Sequence, residues 1–268
     1  MNDIFGFIGT GNMGGALARA CAQAILNEKL LLSDGYAPVA EKLAQELGCK
    51  AVEVSEVAEK AGFIFLGVKP QVMGDMLGGI APILKARKEG FVLVSMAAGL
   101  SIEKIRTMAG GNYPVIRIMP NIPVKAGSGV VLYDATENVT EEELGAFRSA
   151  MAGAGLVDRL PEKLIDAGSA LSGCGPAFVA LFAEALADGA VECGLPRDKA
   201  LNYALQTIAG TAEYLMETGT HPAVLKDAVC SPGGSTIAGV HAMELGGFRA
   251  AAAEAVICAY QKTLELGK

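Results

Sequence analysis

The 268-residue chain has no tryptophan, two histidines and six cysteines, none of them in a Cys-x-x-Cys pair. The thiols (Cys21, Cys49, Cys174, Cys193, Cys230, Cys258) are scattered. In an enzyme-sized chain that pattern does not make a disulfide framework and fits a reducing, cytoplasmic setting. Basic clusters are also missing, and net charge is −7. Nucleic acid is therefore not expected as a partner, whereas a small anion feels local fields and is not excluded. Uninterrupted apolar runs fall far short of a membrane span, so no membrane partner is expected. Met1 to Asp3 lead straight into an apolar strand without a basic segment, so no signal peptide is expected. His241 and Glu244 stand at i, i+3 without a third ligand, and His221 precedes Pro222 at a helix start, so no metal site is expected. Internal repeats and low-complexity tracts are lacking as well.

What is abundant is glycine, 34 residues of it, within a composition that is 51% hydrophobic. A chain of this length buries about three quarters of its unfolded surface, so it needs no covalent staple. Short apolar runs alternate with helical patterns through residue 160. Strands are predicted at Ile4–Ile8, Leu30–Leu32, Phe63–Val68, Phe91–Ser95, Val115–Met119 and Val130–Tyr133, with helices at Asn12–Asn27 and Pro38–Leu47. Continuous apolar strands separated by helices imply a mostly parallel sheet covered on both faces.

Beyond residue 160 the strand signals stop. Helices are predicted at Lys163–Ala170, Ala177–Cys193, Arg197–Thr218, Ala223–Val229, Ile237–Leu245 and Gly246–Leu266, with proline breaks at Leu195-Pro196-Arg197 and Thr220-His221-Pro222. The expected domains are thus 1–160 and 161–268. Some of the later helices are apolar on most faces, and a region of about 105 residues cannot bury every such face by itself. Dimerisation through this half is the expected outcome; packing on the first domain is the alternative.

Ile8-Gly9-Thr10-Gly11-Asn12-Met13-Gly14 fits G-x-G-x-x-G, directly after the first strand and opening the first helix. In that context the motif reads as a dinucleotide-binding turn. Gly9 permits the tight turn, Gly11 lets backbone approach a pyrophosphate, and Gly14 lets helix and strand pack closely. Asp34, 20 residues past Gly14, can accept from a ribose 2′-hydroxyl and leans toward NADH. It can equally be a solvated turn aspartate, and Ser33 could donate to a phosphate. Gly67-Val68-Lys69-Pro70, Met96-Ala97-Ala98 and Asn121 end further strands at the carboxyl edge, where cofactors lie in open α/β sheets.

Ser231-Pro232-Gly233-Gly234-Ser235-Thr236 leads into a helix. Such an end offers free N–H groups and the positive end of the helix dipole, so it binds anions. Two anion-binding turns in one chain suggest a cofactor phosphate and an acidic substrate.

These blocks, with Val68-Lys69-Pro70, Ala97-Ala98-Gly99, Met119-Pro120-Asn121-Ile122-Pro123, Leu171-Ser172-Gly173-Cys174-Gly175-Pro176-Ala177 and Leu225-Lys226-Asp227, occur in order over nearly the whole chain. Together they resemble pyrroline-5-carboxylate reductases. The resemblance implies an N-terminal Rossmann-type, doubly wound, mostly parallel sheet and a C-terminal all-helical dimerisation domain. It implies reduction of 1-pyrroline-5-carboxylate to L-proline with NADPH or NADH, by a homodimer that in some members joins a ring of dimers. Thr236 would then be the hydrogen-bond partner of the ring nitrogen, and Gly233, Gly234 and Ser235 the cradle of the substrate carboxylate. Ser172 and Gly173 would wall the pocket, and Glu162 stands where some members use an acidic residue. Many members place Asn near the ribose where this chain has Val54, with Ser55 beside it.

Three alternatives remain at this level. One is a catalytically silent nucleotide-sensing protein, which would keep Gly9-x-Gly11 without need of the Ser231–Thr236 block, intact here. Another is a reductase of a related cyclic imine. The third is a β-hydroxyacid dehydrogenase-like enzyme, which would need a lysine early in the helical half; Gly173 to Phe178 contains none. For Thr236 itself, a hydroxyl that merely closes its own helix start is the competing role.

Overall fold

The computed structural model describes residues 2–266, with the side chain of Leu266 excluded. The chain divides into two compact units: residues 1–173 with 260–268, and Cys174–Ala259.

The first unit carries β1 (Phe5–Ile8), α1 (Asn12–Ala22), β2 (Leu30–Ser33), α2 (Ala37–Leu47), β3 (Lys50–Ala51) and α3 (Val54–Lys60). These are followed by β4 (Phe63–Leu66), α4 (Pro70–Ala86), β5 (Val92–Ser95), α5 (Ile102–Ala109), β6 (Val115–Pro120), β7 (Gly129–Ala135), α6 (Glu141–Ala150), β8 (Gly155–Arg159) and α7 (Glu162–Ser172). All eight strands form one sheet in the order β3-β2-β1-β4-β5-β6-β7-β8. Strand direction reverses only between β6 and β7. The order 3-2-1-4-5-6 changes sense between β1 and β4, the switch point at which doubly wound sheets bind nucleotides.

Strand alternation builds two cores. Phe5, Phe7, Phe63, Phe65, Val92, Val94, Ile116 and Ile118 fall on one face. Ile8, Ile64, Leu66, Leu93 and Val115 fall on the other. Phe5 stacks on Phe63 at 4.8 Å between ring centroids and Phe7 on Phe65 at 4.3 Å. These cross-strand pairs fix the β1–β4 register at the switch point.

The second unit carries α8 (Gly175–Glu192), α9 (Arg197–Thr218), α10 (Pro222–Val229), α11 (Ser235–Leu245) and the first part of α12 (Phe248–Leu266). Its internal core is small: Ala187, Ala200 and Ala204, flanked by Ala190, Val191 and Leu195. Phe178, Val179, Leu181, Phe182, Phe248 and neighbouring alanines line an open apolar groove of about 460 Å³.

Two expectations are corrected. The apolar runs do not all fall short of a membrane span. The helical stretch Glu162–Glu192 holds an 18-residue window long and apolar enough to cross a membrane by length and composition, and only 17% of that window is buried. Uninterrupted apolar runs in this stretch are short, because Ser172, Gly173, Gly175, Pro176, Glu184 and Asp188 break them while leaving its average strongly apolar. The stretch is nonetheless two helices, since α7 ends at Ser172 and α8 begins at Gly175. The first helix is also shorter than expected, ending at Ala22 rather than Asn27. The pattern changes at residue 160, but α7 packs on the sheet and the first compact unit runs on to Gly173. Ile165 of α7 is fully buried, and a Cβ on Gly168 would stand 2.5 Å from Leu132 of β7.

Candidate active site

The nucleotide turn is built by glycines that leave no room for side chains. Gly9 has φ +94°, and a Cβ there would meet Gly67 backbone at 2.6 Å. A Cβ on Gly14 would stand 2.0 Å from the Gly9 carbonyl oxygen, and one on Gly67 2.3 Å from the same atom. The β1 exit, the β4 exit and the start of α1 thus meet at van der Waals limits. Gly11 differs: nothing lies within 4 Å of its missing Cβ. It is the N-cap of α1 and brings no side-chain cap, so the N–H groups of Asn12 and Met13 open α1 without one. Open space at Gly11 before an uncapped helix end suits a diphosphate, which the free N–H groups and the helix dipole would hold. The residues present therefore fit a dinucleotide.

Asp34 lies at the exit of β2 and is half-buried. Its Oδ2 accepts from Thr10 N at 2.7 Å and from Thr10 Oγ1 at 3.2 Å, and its Oδ1 accepts from Tyr36 N at 3.0 Å. Gly9 N donates to the Ser33 carbonyl at 2.8 Å. The carboxylate is fixed in place, and a groove of about 330 Å³ opens beside it. Ser33, Asp34, Glu41, Val52, Glu53 and Glu56 are among its lining residues. Val54 is not; its side chain packs against the apolar cluster under α3 and α4. Glu41, Glu53 and Glu56 were missed in the sequence, although four carboxylates converging after β2 and β3 would have been the signal.

The remaining strand exits differ in what they leave free. Lys69, the N-cap of α4, is exposed, with Pro70 opening the helix; Val68 is half-buried. Met96 is partly buried against one core, Ala97 is buried in the other and Ala98 is exposed. Asn121 is 7% exposed and its amide is already engaged. Nδ2 donates to the Ser172 carbonyl at 2.8 Å and Oδ1 accepts from Val130 N at 2.8 Å. Asn121 therefore ties the β6 exit to the end of α7. Ser172 Oγ donates back to the Gly168 carbonyl at 3.0 Å. A Cβ on Gly173 would meet the Ser169 carbonyl at 2.8 Å.

Glu162 is the hub of a network the sequence did not disclose. Its Oε1 accepts from Ile102 N at 2.8 Å and from Arg117 Nη1 at 3.2 Å, while its own N–H donates to Asp134 Oδ2 at 2.7 Å. Arg117, 5% exposed inside β6, also pairs with Asp166 at 2.9 Å. One buried guanidinium thus joins β6, β7, the start of α5 and α7.

In the second unit, Ser231 to Gly234 form a β-turn. Gly234 N donates to the Ser231 carbonyl at 3.0 Å, Pro232 holds the second position and Gly233 has φ +69°. Proline then left-handed glycine is the type II sequence pattern. Gly234 must also be small, because a Cβ there would stand 2.4 Å from Ser231 Oγ. Gly234 is the N-cap of α11, so no side chain caps this helix. The N–H groups of Ser235, Thr236 and Ile237 precede the first intrahelical bond, Ala238 N to the Gly234 carbonyl. Ser235 and Thr236 are exposed, and among the described residues no hydrogen bond from the Thr236 hydroxyl closes the helix start. The role that competed with function at Thr236 is therefore not the one the fold uses.

A family model for pyrroline-5-carboxylate reductase dimerisation matches residues 162–266, and one for NADP oxidoreductase, coenzyme F420-dependent, matches residues 4–99. A pyrroline-5-carboxylate reductase of Methanosarcina acetivorans is 37% identical, over 100% of this chain and 99% of its own. The crystal structure of Plasmodium falciparum pyrroline carboxylate reductase with NADP bound is 32% identical, with TM-score 0.86 over 99% of this chain and 98% of its own. A pyrroline-5-carboxylate reductase structure from Coxiella burnetii is 28% identical, with TM-score 0.91 over 98% of each chain.

Proposed function

The chain belongs to the pyrroline-5-carboxylate reductase family, and we propose that it reduces 1-pyrroline-5-carboxylate to L-proline with a reduced nicotinamide dinucleotide. The observation that carries this reading is the uncapped α11 start: three free N–H groups and an unengaged Thr236 hydroxyl on one turn. That set matches a substrate with a carboxylate and a ring nitrogen two bonds apart.

The bound dinucleotide supplies a hydride. The chain's own residues do the rest. The Gly9–Gly14 turn and the α1 N–H groups would hold the diphosphate, and Asp34 would accept from the adenosine ribose. The free N–H groups of Ser235, Thr236 and Ile237 hold the substrate carboxylate at the Gly233-Gly234 turn, with the α11 dipole favouring its charge. The Thr236 hydroxyl orients the ring nitrogen. The imine carbon gains a hydrogen and an electron pair, the C=N π pair moves to nitrogen, and one proton ends there, giving the secondary amine of proline. Threonine is too weak an acid to supply that proton at neutral pH, so it relays one from water or steadies an iminium already protonated. Positioning of this kind is worth as much as about 7–11 kcal/mol in ideal cases. Ser172 contributes through backbone, as its hydroxyl is committed to Gly168. Glu162 acts as a structural hub that sets the α7 start.

The apolar groove of Phe178, Phe182 and Phe248 supports homodimerisation through the helical half. The domains of this reading are 1–160 and 161–268. All six thiols are free, which supports a cytoplasmic setting. The test is proline formation from 1-pyrroline-5-carboxylate with matched oxidation of the dinucleotide. Absence of that reaction with both NADH and NADPH contradicts the proposal.

A further inference from the structure

We infer that the groove after β2 selects NADH over NADPH, with Asp34 as the specificity-determining residue; the inference rests on the dinucleotide-dependent reductase reading above. NADPH differs from NADH by a 2′-phosphate, which carries close to two negative charges at neutral pH and offers only acceptor oxygens toward an ionised carboxylate. In a doubly wound sheet the adenosine ribose lies against the exit of β2, where an acidic side chain accepts from its 2′-hydroxyl. Asp34 occupies that exit.

Three observations make the exit hostile to a phosphate. First, Asp34 cannot swing away, because three hydrogen bonds of 2.7, 3.0 and 3.2 Å pin both its oxygens to Thr10 and Tyr36. Oδ1 keeps a lone pair for a hydroxyl donor, and neither oxygen can donate to a phosphate. Second, the groove beside it is lined by Glu41, Glu53 and Glu56 as well. Lys60 neutralises Glu56 at 2.8 Å, while Glu41 and Glu53 are exposed and in no ion pair among the described residues. Third, the nearby cations face elsewhere. Arg19 is clamped to Glu46 by two bonds of 2.7 Å, and Lys42 lies with them on the neighbouring groove with Thr10 and Tyr36. Ser33, the one hydroxyl donor in the lining of this groove, is buried.

The test is calorimetric titration of the purified full-length protein with NADH and with NADPH, without substrate. Wild-type protein should bind NADH at least roughly tenfold more tightly, and the ratio should shrink as added salt screens the repulsion. Asp34→Asn keeps acceptor oxygen for Thr10 but removes the charge, so it should strengthen NADPH binding and narrow the ratio. The double variant Glu41→Gln/Glu53→Gln should narrow it by a smaller factor, since those carboxylates are exposed. Equal or tighter binding of NADPH by the wild type overturns the inference. So does a ratio that Asp34→Asn leaves unmoved. If both nucleotides bind equally and proline still forms, the selectivity fails while the reductase reading stands. If neither binds, both fail.

Discussion

The two units bury their apolar side chains to different degrees. In the first, two clusters sandwich the sheet, and Phe7, Phe63, Phe65, Leu17, Leu30 and Leu77 are fully buried. In the second, the buried residues are alanines, while Leu181, Tyr203, Met216 and Leu245 are 67%, 58%, 77% and 77% exposed. A sheet with helices on both faces closes its own core. Five helices, some with apolar residues around most of their circumference, do not, and exposed apolar patches on that scale mark interaction surfaces. The nucleotide-binding unit is thus complete in one chain, whereas the unit bearing the Ser231–Thr236 turn is proposed to be finished by a second copy.

The sharpest way to break this contrast is to charge the apolar groove. Phe182→Glu with Phe248→Glu should leave the first unit folded but weaken dimerisation by roughly a hundredfold or more, because each desolvated charge costs several kcal/mol. Light scattering after size exclusion reads this directly, and an unchanged dimer would place the interface elsewhere. A second contrast lies between the two glycine turns. Gly14→Ala puts a methyl group 2.0 Å from the Gly9 carbonyl, so dinucleotide binding should fall by at least about tenfold, with thermal stability of the first unit reduced by overpacking. Within the first unit, Arg117→Ala removes a buried cation and leaves Glu162 and Asp166 facing each other. Both acids are about 30% exposed, with side-chain values of 30% and 31%. The loss should therefore be about 2–3 kcal/mol, below that of a fully buried pair. Denaturant unfolding measures it. The smallest effect is chemical. Burial pushes the Cys21 thiol well above its ordinary range, so in the native protein it should resist alkylation while the exposed Cys193 reacts.

Much of this was legible in the sequence because local and global signals agree. The β1 run, the G-x-G-x-x-G turn and the proline–glycine turn before α11 each demand one backbone geometry, and the fold uses it. The edge strands were not legible. β3 is two exposed residues, Lys50 and Ala51, and β8 (Gly155–Arg159) is mostly exposed and ends in Asp158 and Arg159, so neither shows an apolar run. The reversal at β7 did leave a trace. Residues 121–128, between β6 and β7, are too few for a parallel crossover, which needs a dozen or more. Arg117 was hidden because a single charge inside Val115–Met119 reads as an interruption until its partners on α7 are known. Asn121 was expected at the cofactor, yet both ends of its amide are committed to backbone, a bonding pattern that residue type alone cannot disclose.

The central claim is that the α11 start, with Thr236, holds the carboxylate and ring nitrogen of a cyclic imine. Steady-state reduction of 1-pyrroline-5-carboxylate by wild type and Thr236→Ala, alongside dinucleotide binding by both, tests it most directly. The account predicts kcat lower by about a hundredfold in the variant, as for loss of a positioned proton-handling group, with dinucleotide affinity within about twofold of wild type. Unchanged turnover in Thr236→Ala would contradict it.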